Sequence, residues 1–369
     1  MNSAVAASHD PWLLVKTLKD SAPLDAQIGS PALQMPEELC EPLFGDPDPK
    51  ADFEAWGGEE NLPPLKTYAL LDAACHPALP DILDTSDLNH KCLFTGKALE
   101  ELGEAAPWLV ELEPDHSLTR KLMTTDTAPG GLWEKQLGIF LRSRVDMNSL
   151  WKHLRRFTRL RDETGKWYFF RYWSPPICTR LMAMGNHPDV APLVSAMFPS
   201  GTEALSMVVT APRQAAMLSR APGTVAPRRG TRVILTPEIR AILRQIRREQ
   251  EFDDISVVAH RHSAPQTGLT LDESLSELEH LRHKVFEMGF WRRDHIAKIC
   301  CWELILGPNF ISEYANGAIR SILMGAEAAH YAIQDIEKFL DAQAEAQREG
   351  LQHIRGDAAH GDTDIWTEI

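Results

Sequence analysis

Six aromatic residues fill a run of seven, Trp167-Tyr168-Phe169-Phe170-Arg171-Tyr172-Trp173, and only Arg171 interrupts them. If the run is extended, Trp167, Phe169 and Trp173 lie on one face and Tyr168, Phe170 and Tyr172 on the other. A strand that is apolar on both faces is expected at the centre of a sheet, covered on both sides. Arg171 shares the first face, so its guanidinium needs a partner or a route to water. The run is the second arm of a predicted hairpin, 158–161 and 166–173, that turns at Asp162-Glu163-Thr164-Gly165. Upstream, Ile139-Phe140-Leu141 reads as a strand. Asp146 then caps a helix that carries Met147, Leu150, Trp151, Leu154 and Phe157 on one face. Lys152, Arg155, Arg156 and Arg159 occupy the rest of that helix.

The same region concentrates positive charge. Residues 138–180 hold ten Lys or Arg against three acids, a local balance of +7 in a chain of net charge −14. The overall sign argues against general nucleic-acid binding, which needs a basic field. The basic helix face has three open readings: a solvated face, a site for an acidic protein surface (including this chain's own N-terminal segment), or nucleic acid. Residues 1–60 hold twelve acids against three lysines, with prolines throughout. The expectation there is an irregular acidic arm over 1–66, with a short docking helix at 12–18. Its acidity serves either solubility or a guard over the basic face.

A chain of 369 residues predicts two domains. The alternation of short strands and helices from residue 67 predicts an α/β lobe at 67–184 with a mixed sheet and flanking helices. Its strands are expected at 67–72, 92–94 and 108–112, with helices at 77–83, 98–104 and 116–123. Residues 185–236 read as connecting strands (204–210 and 231–235) around an exposed loop at 211–230. A mainly helical C-terminal lobe at 237–345 follows, so the fold class is α/β (α+β overall). Its helices are expected at 237–248, along the stripe Leu271, Leu275, Leu278, Leu281, Val285 and Met288, after Asp294 as far as Gly307-Pro308, and at 315–345. Residues 346–369 read as a polar tail.

Motifs for chemistry are sparse. There is no Gly-x-Ser-x-Gly elbow, phosphate loop or Gly-x-Gly-x-x-Gly. His260 and His262, expected on an extended segment, and His280 and His283, expected on one helix face, lack further ligands at fixed spacing, so no metal or cofactor is expected. The six cysteines form no Cys-x-x-Cys pair and read as reduced thiols. No basic leader and no apolar run of membrane-spanning length is present, which predicts a cytoplasmic protein without a membrane partner. Asp72, at the end of the first predicted strand, is open to three roles: an ion pair with Arg142 or Arg171, a partner contact, or catalysis.

The order of motifs carries a resemblance. Tyr68-Ala69-Leu70-Leu71-Asp72-Ala73-Ala74 is followed by Cys92-Leu93-Phe94-Thr95-Gly96 and by Ala106-Pro107-Trp108-Leu109-Val110-Glu111-Leu112. Then come Gly138-Ile139-Phe140-Leu141-Arg142-Ser143, the helix segment from Leu150 to Phe157, and Trp167 through Pro175. In this order and spacing, residues 67–181 resemble the type VI secretion effector chaperones, also called adaptors (Tap or TEC proteins). Phe290-Trp291, and Gly307 with Phe310, are similar to the helical region of such adaptors. Many members carry an Asp before the proline that follows the aromatic strand. Here that position is Ser174, so any charged contact of that Asp is lost or replaced. The resemblance implies a non-enzymatic protein that holds a toxic effector in the cytoplasm and helps load it onto the VgrG spike or its tip protein. It implies no catalytic residues, and Lys152, Arg155, Arg156 and Arg159 are the candidates for partner binding. The alternatives are an immunity-type inhibitor of a toxin, or a hydrolase using Asp72 with a histidine such as His76.

Overall fold

The computed structural model describes residues 11–19, 21–26, 34–47, 53, 56–198, 205–211, 214–220, 233–326 and 328–360. The chain divides into two compact units, Met1–Ile246 and Arg247–Ile369. The first unit is the α/β part and the second is helical, as the sequence predicts.

The strands are β1 (Leu13–Leu18), β2 (Lys66–Asp72), β3 (His90–Cys92), β4 (Pro107–Leu112), β5 (Gly138–Ser143), β6 (Arg159–Asp162), β7 (Trp167–Phe169), β8 (Leu205–Ala211), β9 (Gln214–Arg220) and β10 (Ile234–Leu235). Seven of them form one sheet in the order β1-β9-β8-β5-β2-β4-β3, and every neighbouring pair is antiparallel. The strand covered on both faces is β2. Tyr68 and Leu70 enter one hydrophobic cluster, Ala69 and Leu71 the other, and all four are fully or almost fully buried. Gly138 is needed beside it. A Cβ there would lie 1.8 Å from the Leu70 carbonyl oxygen, so a side chain would push β5 off β2.

Helices cover the two faces of this sheet. In the first unit they are α1 (Glu37–Phe44), α2 (Leu79–Thr85), α3 (Lys97–Leu102), α4 (Ser117–Leu122), α5 (Met147–Arg155), α6 (Pro175–Ala183) and α7 (Ala191–Met197). Leu39 and Leu43 of α1, Leu79 and Leu83 of α2, and Leu118 and Leu122 of α4 pack with Ala69 and Leu71. Leu150 and Leu154 of α5 pack with Tyr68 and Leu70, together with Cys178 of α6 and Leu193 of α7. The result is three layers around two apolar cores.

The aromatic hairpin does not join the large sheet. It forms a second sheet of order β10-β6-β7, in which β6 and β7 are antiparallel and β10 and β6 parallel, so the mixed pairing sits here. The expectation of a central, covered strand over 166–173 is therefore corrected: β7 is a short edge strand ending at Phe169. The cause lies in the polar ends of the rings, which find partners away from a sheet. The Tyr172 hydroxyl donates to the Leu154 carbonyl at 2.9 Å, and Trp173 Nε1 donates to Asp72 Oδ2 at 2.8 Å. Phe170, Tyr172 and Trp173 are thereby buried, while Trp167 and Phe169 remain 46% and 56% exposed.

The N-terminal segment is also corrected. Residues 13–18 form β1, an edge strand paired along its length with β9, not a docking helix. Pairing with the β9 edge gives the backbone groups of this segment partners along its whole length. Trp12 Nε1 donates to the Gly185 carbonyl at 3.0 Å, and the Asn186 side chain bonds both the N–H and the carbonyl of Leu13. Arg142 Nη2 donates to the Gly45 carbonyl and Arg144 Nη1 to the Pro63 carbonyl, each at 2.8 Å, which fastens the rest of the segment. The loop expected over 211–230 contains β9 at 214–220, and 221–230 lie outside the described residues. The same holds for 1–10, 27–33 and 48–52 of the N-terminal segment, and for 361–369 of the tail.

The boundary between the units falls within α8 (Pro237–Thr267), which is longer than the expected 237–248 and places His260 and His262 on a helix. The second unit continues with α9 (Leu271–Leu278), α10 (Leu281–Glu287), α11 (Arg293–Leu306), α12 (Phe310–Gly325) and α13 (Ala329–His360). The stripe from Leu271 to Met288 is split into two helices. Thr270 and Glu273 form a capping box on the first of them. Gly307, at φ 103°, stops α11. The single helix expected at 315–345 is two helices. The first is kinked at Tyr314–Gly317, where Ala315, Asn316 and Gly317 take positive φ. Ile296, Ile299, Ile319, Ile333 and Ile336 form the unit's core.

Trp12→Ala tests whether β1 is structural. It removes a buried indole that meets Phe198 edge-on at 6.2 Å, and it is expected to cost about 3 kcal/mol. Urea unfolding measures this, and an unchanged midpoint would show that the N-terminal segment is dispensable to the fold.

Candidate functional site

Asp72 ends β2, where antiparallel pairing with β4 and β5 leaves its side chain in the interior, 1% exposed. Both carboxylate oxygens are engaged. Oδ1 accepts from the Ala74 backbone N–H at 3.0 Å, which caps the turn after the strand. Oδ2 accepts from Arg171 Nη2 at 2.5 Å and from Trp173 Nε1 at 2.8 Å. Of the two arginines open as partners, Arg171 forms the pair, with its side chain about half exposed (49%). Arg142 does not: it is buried on β5 against the Gly45 carbonyl, and that burial lowers its pKa. Ser174 begins α6 without a side-chain capping bond, although an Asp is favoured at such a position.

The basic face is built on α5 and β6. Asp146 Oδ1 accepts from the N–H groups of Asn148 and Ser149 at 2.9 and 3.1 Å, and the Ser149 side chain together with these backbone bonds holds its carboxyl below the usual range. Met147, Leu150, Leu154 and Phe157 enter the core as the spacing predicts. Trp151 stays half-buried, its Nε1 donating to the Cys92 carbonyl at 2.7 Å. Lys152, Arg155, Arg156 and Arg159 are all exposed. The structure brings three of them onto aromatic rings. Arg155 lies 5.2 Å from the Trp151 ring centre and bonds Thr95, while Arg159 lies 5.4 Å from both Trp167 and Phe169. Arg156 sits over Phe157 at 5.7 Å. Lys152 makes no such contact among the described residues.

Four members of this face were not anticipated: Lys91 over Trp151 at 4.1 Å, Arg161 over Trp167 at 4.2 Å, and the exposed Trp167 and Phe169 themselves. The signal was in the hairpin register. Antiparallel pairing sets Arg159 opposite Phe169 and Arg161 opposite Trp167, and a row of arginines facing aromatics across a ladder marks a solvated side. Phe94, 5.9 Å from Phe169, extends the aromatic row toward the end of β3.

Nearby acids do not neutralise these cations, because they are engaged elsewhere. The Asp162 side chain accepts from the Thr164 hydroxyl at 2.7 Å and from the N–H groups of Thr164 and Lys166 at 2.9 Å, closing the hairpin turn. Its Oδ2 also accepts from Tyr168 OH and, at 2.9 Å, from Arg240 Nη1 of α8. The same Arg240 grips Glu163 with both terminal nitrogens, at 3.0 and 2.6 Å. Arg155, Arg159 and Arg161 form no ion pair with any described residue.

The histidine pairs singled out in the sequence belong to the second unit. His260 Nδ1 meets the Ser274 hydroxyl at 3.0 Å, and His280 pairs with the buried Glu303 at 3.0 Å. In the second unit a cavity of about 700 Å³ is lined by residues including Met288, Phe290, Ile311, Leu323, Lys284 and Arg320.

Residues 67–191 match the sequence model of a family described as a domain of unknown function, DUF4123. The match spans about a third of the chain and contains Asp72, Arg171 and the whole cation-aromatic face. This domain is known in type VI secretion effector adaptors. No curated protein and no solved structure matches the chain.

Two outcomes follow from this geometry. Arg171→Ala strands a buried carboxylate and is expected to cost about 3 kcal/mol. Asp72→Asn leaves an arginine that can reach water and is expected to cost only about 1–2 kcal/mol. Urea unfolding of the two variants checks the order. The second outcome concerns pH. The Thr164 hydroxyl and its neighbours depress the Asp162 carboxyl below its unfolded value. Its contribution to stability is therefore fully present above about pH 4 and is lost as pH falls toward the folded value. The stability gap between the native protein and Asp162→Asn should close over that window, as read by Tm against pH.

Proposed function

We propose that the chain is a non-enzymatic adaptor that binds a type VI secretion effector, a toxin, in the cytoplasm and helps load it onto the VgrG spike or its tip protein. The observation that carries this reading is the match to a domain known in such adaptors, over the segment that builds the cation-aromatic face. Two further features support it. The strand-end carboxylate that could have served a hydrolase is buried, and both of its oxygens accept bonds from Ala74, Arg171 and Trp173, with none aimed at His76. No helix among the described residues is long and apolar enough to cross a membrane. Arg155 and Arg159, exposed and without an ion pair among the described residues, then serve binding, where long-range charge raises the association rate and local contacts set the lifetime.

Co-expression with the toxin encoded beside its gene tests the reading. A stable complex should elute from size exclusion at micromolar concentration. Reversal of Arg155 and Arg156 to Glu should weaken it by about tenfold or more, because rim charges become repulsive. Failure of the purified proteins to associate would sink the adaptor reading. Protection of cells from the active toxin domain, with no effect on its secretion, would instead make the chain an inhibitor.

A further inference from the structure

We infer that the face formed by Trp167, Phe169, Arg159 and Arg161, extended by Arg155, docks an acidic segment of a partner protein. The inference deepens the adaptor reading and rests on it only in taking the partner to be a protein.

Four observations lead to this occupant. Trp167 and Phe169 are large aromatics left about half exposed on an edge strand, in a run whose Phe170, Tyr172 and Trp173 rings are buried. Leaving them in water forgoes burial that the same run achieves elsewhere, so the site keeps apolar area for a contact made on binding. Trp and Arg are also the residues that dominate the energy of protein interfaces. Second, Arg159 and Arg161 lie within 5.4 and 4.2 Å of those rings, which holds the guanidinium planes in place before a partner arrives.

The third observation is charge. The two acids of the adjoining turn are taken by Arg240, so the arginines of the face have no ion-pair partner among the described residues. The field they present calls for carboxylates. A second copy of the chain set face to face would oppose like charges, which is unfavourable. The fourth concerns nucleic acid. Bases stack on free ring faces, whereas here guanidinium groups already lie against both rings, and the chain as a whole carries −14. A protein segment with Asp or Glu flanking an apolar residue fits both halves of the surface: the carboxylates meet Arg159 and Arg161, and the apolar residue seats against Trp167 and Phe169.

The test uses the full chain and a short synthetic peptide of alternating Glu and Leu, with matched peptides in which Gln or Lys replaces Glu. The acidic peptide should bind at least about tenfold more tightly than the Gln peptide, and added salt should erode the difference. The variants Trp167→Ala/Phe169→Ala and Arg159→Glu/Arg161→Glu should each abolish the preference. Circular dichroism and Tm show whether the fold is kept, and Lys97→Glu, on a separate exposed helix, should bind as the native chain does. Equal binding of all three peptides, or native binding by the face variants, overturns the inference. So does tighter binding of a single-stranded oligothymidine, or a concentration-dependent dimer that the same variants dissolve. The adaptor reading fails separately. If an effector still co-elutes with both face variants, this site is wrong and the adaptor stands; if the peptide preference holds but no effector binds, the reverse is true.

Discussion

A carboxylate with no water around it must be supplied with donors, and Asp72 is placed where only distant parts of the chain can supply them. Ala74 is two residues on, but Arg171 and Trp173 are about a hundred residues away in sequence. Removing a charge from water costs several kcal/mol unless such partners arrive together. The end of the central strand and the end of the aromatic run are therefore held to one point. Once Trp173 is there, Tyr172 is drawn beneath α5, where its hydroxyl reaches the Leu154 carbonyl. The helix that carries the basic face is seated on the sheet by this contact and by the Trp151 bond to the Cys92 carbonyl.

The same constraint explains why one half of the aromatic run faces out. β7 keeps its ladder to β6 only as far as Phe169, because the residues after it are committed to the core. Trp167 and Phe169 remain on the outer side, and Arg159 and Arg161 across the ladder lie against them. Arg240, on α8, withdraws the two acids of the turn from that row. The positive character of the face thus depends on a residue nearly eighty positions downstream, which enters the site without belonging to it.

Much of the first unit was legible in local pattern. Thr67 to Asp72 reads as a buried strand and is one, because consecutive apolar residues without glycine or proline leave little else for six residues to do. Asp146 followed by an i, i+3, i+4 apolar stripe specifies α5 almost to the residue. Asp162 to Gly165 specifies a turn through the Asx bonds that close it. The misreadings share one cause. A run of aromatics records that area must be buried, but not which rings will be. Residues 13–18 record a short apolar segment, but not that β9 would offer it an open edge. His260 and His262 read as an extended segment because their polar surroundings conceal a helix, whose packing side around them is marked by Phe252, Ile255 and Ala259.

The sequence by itself determined the division into a sheet-containing part and a helical part, the cap and stripe of α5, the hairpin turn, and the excess of positive charge between residues 138 and 180. These are properties of neighbours a few positions apart, where backbone geometry alone relates one side chain to the next. Only the tertiary structure decided that Asp72 pairs with Arg171 and not Arg142, that the mixed pairing lies in a small second sheet, and that Trp167 and Phe169 face outward with arginines on their rings. Each of those outcomes is a competition between distant groups for one donor, one edge or one apolar surface. It is settled by which set of contacts leaves the fewest buried polar groups unpaired.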